Sequence, residues 1–260
     1  MTGRRPVIVV EDLGARYDGD VILENVSFEV YQGEIFIIMG ESGCGKSTLL
    51  KHMIGLHSPY EGKVLINGVD IFAADPAELN RVRTDIGVLF QTAALFGSMT
   101  LADNVALPLR EHTHLAPETV DLIVRMKLGM VNLGGYGNHL PSELSGGMRI
   151  RAGLARAMAL DPKILFLDEP SAGLDPVTSA EIDILIRSIN QGMRTTIVII
   201  TQELESIFGI GTRVIMLDKH ERGIIAQGDP FELREKSSDS RVVNFFRRRP
   251  MTSARETAAP

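Results

Sequence analysis

Residues 40–48 read GESGCGKST, which satisfies the spacing G-x-x-x-x-G-K-[ST]. Glycines at these positions let backbone N–H groups curl around phosphate oxygens, and a helix beginning at the lysine adds its partial positive charge. Lys46 supplies a mobile cation and Ser47 a hydroxyl suited to Mg²⁺. Gly40, Glu41, Ser42, Gly43, Cys44, Gly45, Lys46, Ser47 and Thr48 are therefore expected to cradle a nucleotide. A glycine-rich turn that bound nothing would not need lysine and hydroxyl together. Cys44 reads as a small space-filler, because no second cysteine exists to resolve it.

A second constellation, ILFLDEP, puts Asp168 and Glu169 behind four apolar residues, at a strand end where open α/β sheets place their ligand crevice. Asp168 there would hold Mg²⁺ through its water shell, and Glu169 would orient or deprotonate a water attacking a terminal phosphate. The bland alternative is a solvated strand end. Two adjacent carboxylates beside a phosphate loop would then repel without compensation.

A third run, LSGGM at 144–148, lies roughly a hundred residues beyond the phosphate loop. Ser145, Gly146 and Gly147 offer a hydroxyl and closely approaching backbone donors ahead of a helical pattern. Alone, the run reads more readily as a glycine turn.

Positioning these groups requires strands and helices in alternation. VIVV, SFEV, EIFIIM, KVLI, IGVLF, ILFLD, TIVII, RVIMLD and GIIAQG read as strands. Residues 46–56, 117–126, 147–160 and 176–191 have helical length and apolar spacing, giving an α/β sheet. EIFIIM, ILFLD and TIVII are apolar on both faces and are expected at the sheet centre. From 90 to 144 strand signals are few, so a helical subdomain is expected at about 90–160, inserted in a domain of residues 1–236. A tail, 237–260, loses periodicity after Arg249.

Composition excludes several classes. With 44% hydrophobic and 23% charged residues over 260, the chain has an ordinary globular balance and room for a large core. A net charge of −6 argues against a protein held by nucleic-acid phosphates. A single cysteine leaves no internal disulfide and agrees with a reducing compartment. The apolar run at the N-terminus breaks at Glu11 and Asp12, unlike a signal peptide. The longest apolar stretches reach five residues, against about 20 needed to span a bilayer. His112 and His114 sit in a polar turn cluster with no cysteine nearby and are not expected to bind metal.

Phosphate loop, LSGGM, ILFLDEP and SAGLDP, in this order, resemble the ATPase subunit of ABC transporters over nearly the whole chain. The resemblance implies a P-loop NTPase fold with a RecA-like core, an antiparallel β subdomain and the inserted helical subdomain. It implies ATP and Mg²⁺ as ligands, Tyr17 stacking on adenine, and Gln91 sensing Mg²⁺ and the attacking water while its loop touches a permease. Ser145, Gly146 and Gly147 would meet the γ-phosphate held by a second copy of the chain, and Asp175 would cross between the two copies. Each chain would thus carry two half-sites, which is why it needs both glycine runs.

The family's usual histidine after the next strand is replaced here by Gln202, in VIITQELES. Its amide can still donate to a phosphate but carries no charge, so slow but real hydrolysis is expected with Glu169, Gln91 and Gln202 as the catalytic set. Met148, the run FQTAALFGSMTLADNVALPL and the ending SDSRVVNFF resemble the ATPase of phospholipid-trafficking, toluene-tolerance systems. That likeness implies a permease dimer, a periplasmic lipid-binding subunit, no nucleic acid, and a peripheral position on the cytoplasmic face of the bacterial inner membrane. Rival readings are an amino-acid importer ATPase and a permease-free ABC protein.

Three features admit more than one reading. The loop 92–99 is small and apolar, suiting either another protein or its own helical subdomain. The segment RVVNFFRRR would lie on a membrane, dock on the partner ATPase, or stand in solvent. Arg151 either braces its helix or is simply exposed.

Overall fold

The computed structural model of the chain describes residues 5–17 and 19–248. Strands β1 (Pro6–Tyr17) and β2 (Asp20–Tyr31) pair antiparallel, and β1 pairs on its other side with β4 (Glu61–Ile66). With the short β5 (Val69–Asp70) they form a four-stranded sheet, ordered β2-β1-β4-β5. Strand β1 runs well past VIVV. Asp12 takes a left-handed φ of 46° and its backbone N–H donates to the Ser27 hydroxyl at 2.8 Å. This bulge carries the strand through the charged residues that interrupt its sequence pattern.

The second sheet has six strands, in the order β10-β9-β3-β8-β7-β6. They are β3 (Ile35–Gly40), β6 (Ile86–Leu89), β7 (Ile164–Asp168), β8 (Thr196–Ile200), β9 (Arg213–Asp218) and β10 (Gly223–Gly228). β9, β3, β8, β7 and β6 run parallel, and β10 turns back antiparallel on the edge. The three doubly apolar runs, β3, β8 and β7, are adjacent as expected.

Alternation along these strands splits the interior in two. Phe36, Ile38, Phe166 and Ile200 face the antiparallel sheet and α1 (Lys46–Met53). Ile35, Ile37, Met39, Leu165 and Leu167 face the helices of the opposite layer. A side-chain period of two thus makes β3 a member of both cores.

Between β6 and β7 lie α3 (Leu101–His112), α4 (Pro117–Met130), a 3₁₀ turn at Pro141–Glu143 and α5 (Gly146–Ala157). The remaining helices are α2 (Pro76–Thr84), α6 (Pro176–Met193), α7 (Leu204–Ile210), α8 (Pro230–Lys236) and α9 (Ser240–Phe246). Among the described residues no helix is long and apolar enough to cross a membrane.

One face of RVVNFF packs on the chain's own core, while Val243, Asn244 and Phe245 stay partly exposed. Val242 and Phe246 of α9 are buried in the chain's own core. The Phe246 ring lies 5.4 Å from Phe208, which lies 5.1 Å from Phe231. Phenylalanines on α7 and α8 need covering, and α9 is the segment in reach. Arg241 fixes its start by bonds to Asp218, Glu221 and Asp239. The loss of periodicity expected after Arg249 falls outside the described residues.

Candidate nucleotide-binding and catalytic site

The parallel strands deliver their C-terminal ends to one edge. β3 ends in the phosphate loop, β7 in Asp168 and Glu169, β8 in Thr201 and Gln202, and β6 leads to Gln91. Register aligns Asp168 with Ile200, and the Thr201 N–H donates to Ile38 O at 3.2 Å.

Glycine is required at two places in the phosphate loop. Gly40 has φ 146°, and a Cβ there would lie 2.5 Å from Leu217 O on the neighbouring strand. Gly45 has φ 100° and would meet Leu23 at 2.7 Å. The Cys44 side chain, buried beside Gly40, fills space as the sequence implied; burial pushes its thiol up. Lys46 opens α1, and its ammonium, nearly buried, donates to Gly40 O at 2.8 Å and Glu41 O at 2.9 Å.

Asp168 and Glu169 are half-buried, and desolvation raises both carboxyls above their ordinary range. For Asp168 the Ser47 hydroxyl and the Lys46 cation oppose the shift. For Glu169 the Lys46 cation opposes it, the Asp168 charge adds to it, and hydrogen bonds with Thr201 and the Gln202 backbone reduce it. Asp168 Oδ1 is buried with no hydrogen-bond partner among the described residues. A buried carboxylate oxygen left free costs about 1–3 kcal/mol or more, and beside a serine hydroxyl it forms a hard-oxygen pair suited to Mg²⁺. Glu169 itself is held at φ 48°, a left-handed conformation costing about 1–2 kcal/mol in a non-glycine residue. Thr201, wholly buried, was not singled out in the sequence because its approach to Glu169 depends on the β7–β8 register.

Gln91 and Gln202 are exposed at this edge, and Tyr17, at the end of β1, is 70% exposed. Its neighbour Arg16 instead lies 3.6 Å over the Tyr60 ring.

Ser145 is the N-cap of α5, its hydroxyl accepting from Met148 N–H at 3.3 Å. The two glycines behind it have a reason the sequence did not disclose. A Cβ at Gly147 would lie 2.5 Å from Thr178 Cγ2, and one at Gly146 would lie 3.1 Å from Leu174. They let α5 press against the start of α6. Asp175 caps that helix: its carboxylate accepts from Val177 N–H, Thr178 N–H and the Thr178 hydroxyl, which holds it below the usual carboxylate range. In this chain the side chain of Asp175 is thus engaged with its own helix. Arg151 is a brace, donating to Glu181 of α6 at 2.7 Å.

This packing makes a prediction. Thr178 cannot rotate away from a Cβ at residue 147 without losing its 2.6 Å bond to Asp175, so Gly147→Ala should cost about 1–3 kcal/mol by overpacking. Adding Thr178→Ser, which removes the methyl and keeps the hydroxyl, should recover most of it. Urea unfolding of the single and double variants checks this, and equal midpoints for the two would refute it.

Residues 23–172 match the family described as ABC transporter. A Mycobacterium leprae protein, described as "Probable ribonucleotide transport ATP-binding protein mkl", is 47% identical over 205 residues. That alignment covers 78% of this chain, which spans only 59% of the mycobacterial protein. A Haemophilus influenzae protein, "Intermembrane phospholipid transport system ATP-binding protein MlaF", is 41% identical over 241 residues, 93% of this chain and 90% of its own length. Among solved structures, the dimeric post-hydrolysis state of the ATP-binding cassette MJ0796 bound to ADP and Pi aligns at TM-score 0.78 and 31% identity, covering 85% of this chain and 98% of that one. The cbiO1 protein of Clostridium perfringens, part of the ABC transporter complex cbiONQ, aligns at TM-score 0.80 and 28% identity, covering 92% and 94%. The family match spans the phosphate loop, Gln91, the LSGGM run and the two acids, and with the 41% identity along 93% of the chain it settles the family: this chain belongs to the ABC transporter family.

Proposed function

We propose that this chain hydrolyses ATP to power phospholipid transport between inner and outer membranes through a separate permease, from a peripheral position on the cytoplasmic face of the inner membrane. What carries the cargo reading is likeness to the Haemophilus phospholipid transport protein along 93% of this chain and 90% of that one. Two copies would close around two ATP molecules, Lys46 of one and Ser145 of the other meeting the same terminal phosphate. The dimeric state of the MJ0796 cassette supports this arrangement. The loop that carries Asp175 would cross between the copies, and a periplasmic lipid-binding subunit would complete the complex.

Tyr17 stacks on the base, residues 40–48 hold the phosphates, and Glu169 orients or deprotonates the attacking water. Ser47, Asp168 and Gln91 would hold Mg²⁺, which the unpartnered Asp168 oxygen fits; when bound it neutralises charge on the phosphate oxygens. Hydrolysis removes the phosphate bridging the halves and releases them. The Gln91 loop, with Phe96 at its exposed tip, would receive the permease.

Gln202 lacks the charge of the family's usual histidine. A charge-assisted hydrogen bond is worth roughly 1.5–3 kcal/mol, so Gln202→His should speed turnover about tenfold to a hundredfold if the bond acts in the transition state. Steady-state ATPase rates with the permease present test this; a histidine variant no faster than the native chain refutes it.

The 47% identity to the mycobacterial protein supports a second reading, a ribonucleotide cargo. Reconstituting the chain with its permease in phospholipid vesicles separates the two. ATP-dependent lipid movement is expected, whereas ATPase stimulation by ribonucleotides without lipid movement would overturn the phospholipid reading.

A further inference from the structure

The loop between Gln91 and Thr100 is bent against its own backbone preference. Ala93 and Ala94 stand in succession at φ 60° and 47°, in the left-handed region that alanine rarely enters. Arg156 of α5 opposes their escape. Its Nη2 donates to Ala93 O at 2.9 Å and its Nη1 to Ala94 O at 2.7 Å, and the guanidinium lies 6.0 Å from the centre of the Phe96 ring. One turn earlier on the same helix, Gly153 admits the loop: a Cβ there would lie 3.0 Å from that of Ala93 and 2.6 Å from Leu89. Asn104 of α3, wholly buried, holds the far side. It accepts from Phe96 N–H at 2.8 Å and donates to the carbonyls of Phe96, Met99 and Thr100.

Helix α5 therefore grips this loop near its C-terminal end and presents Ser145 at its N-terminal end, about 16 Å away along the axis. We infer that Arg156 is a positioning residue that couples the loop carrying Gln91 and Phe96 to α5 and so to Ser145, by clamping two adjacent left-handed carbonyls in its guanidinium fork. A load on Phe96 then moves Ser145, and a phosphate gripped at Ser145 moves Phe96, because a helix with two fixed ends transmits displacement as one body. Arginine suits the task because its planar fork reaches both carbonyls together, whereas a lysine ammonium is a single point. The inference rests on the ATP-binding reading of Ser145. It goes beyond that reading by giving a role to a side chain that need touch neither nucleotide nor partner.

The test is amide hydrogen exchange on the full chain carrying Glu169→Gln, so that ATP persists, with and without ATP and Mg²⁺. ATP should slow exchange at residues 92–97 by about fivefold or more in that background, as expected of a segment tied to a bound element. Adding Arg156→Met should abolish this response while residues 41–48 still slow to the same extent, and Arg156→Lys should fall between. The inference is overturned if the Met variant's loop responds as fully as before. It is equally overturned if residues 41–48 lose their response in step with the loop in both variants, since Arg156 would then be only a folding prop. Failure of residues 41–48 to respond in the parent chain would instead sink the ATP reading, and this coupling with it.

Discussion

Replacing Glu169 with glutamine is expected to slow ATP turnover by about 10²- to 10⁴-fold, the range for losing a positioned general base, while leaving nucleotide binding intact. The exchange keeps the shape of the side chain and its reach to Thr201 and the Gln202 backbone. It removes only the charge that accepts a proton. It also removes the repulsion from Asp168, which acts with burial to raise the Glu169 carboxyl, so the variant should be no less stable than the native chain. Because the terminal phosphate is no longer cleaved, ATP-bound copies should accumulate as dimers. Phosphate release and gel filtration with ATP and Mg²⁺ read both effects. Turnover above about a tenth of native, far outside the range for a lost general base, would remove Glu169 from its assigned role.

Lys46→Ala is expected to weaken ATP binding by about a hundredfold or more, the equivalent of about 3 kcal/mol for a lost charge-assisted hydrogen bond. The ammonium also ties the loop together through Gly40 O and Glu41 O, and its charge opposes the upward shifts of Asp168 and Glu169. Alanine therefore removes the phosphate's cation, a strut of its cradle, and the nearest counter-charge to two acids. ATP at a hundred times its native dissociation constant should stabilise the native chain by about 2.7 kcal/mol and the variant by about 0.4 kcal/mol. Thermal unfolding with and without ATP measures this, and an undiminished shift would refute the assignment.

Much of this site was legible because its signals are local. The phosphate loop has fixed spacing, and two acids behind ILFL announce a strand end. TIVII, ILFLD and EIFIIM are apolar at successive positions, so they had to lie between two layers. What escaped depends on neighbours distant in sequence. That Gly147 also makes room for Thr178 of the next helix shows only in the fold. Thr201 gains meaning only through the alignment of β7 with β8. That Val242 and Phe246 of RVVNFF pack on the chain's own core, the latter against Phe208, shows only in the fold. Helices α2 and α3 do carry local start signals: Asp75 before Pro76, whose carboxylate accepts from Ala77 and Glu78 N–H, and Thr100 three residues before Asp103.

The double membership of β3 has a mechanical consequence. Because Phe36 and Ile38 are rooted in one interior and Ile37 and Met39 in the other, neither layer can peel away without uprooting the strand that ends in the phosphate loop. Regions tied in this way open only with the whole molecule. The strand beneath the cradle is therefore a rigid anvil, and whatever gives way as nucleotide enters and leaves lies beyond it.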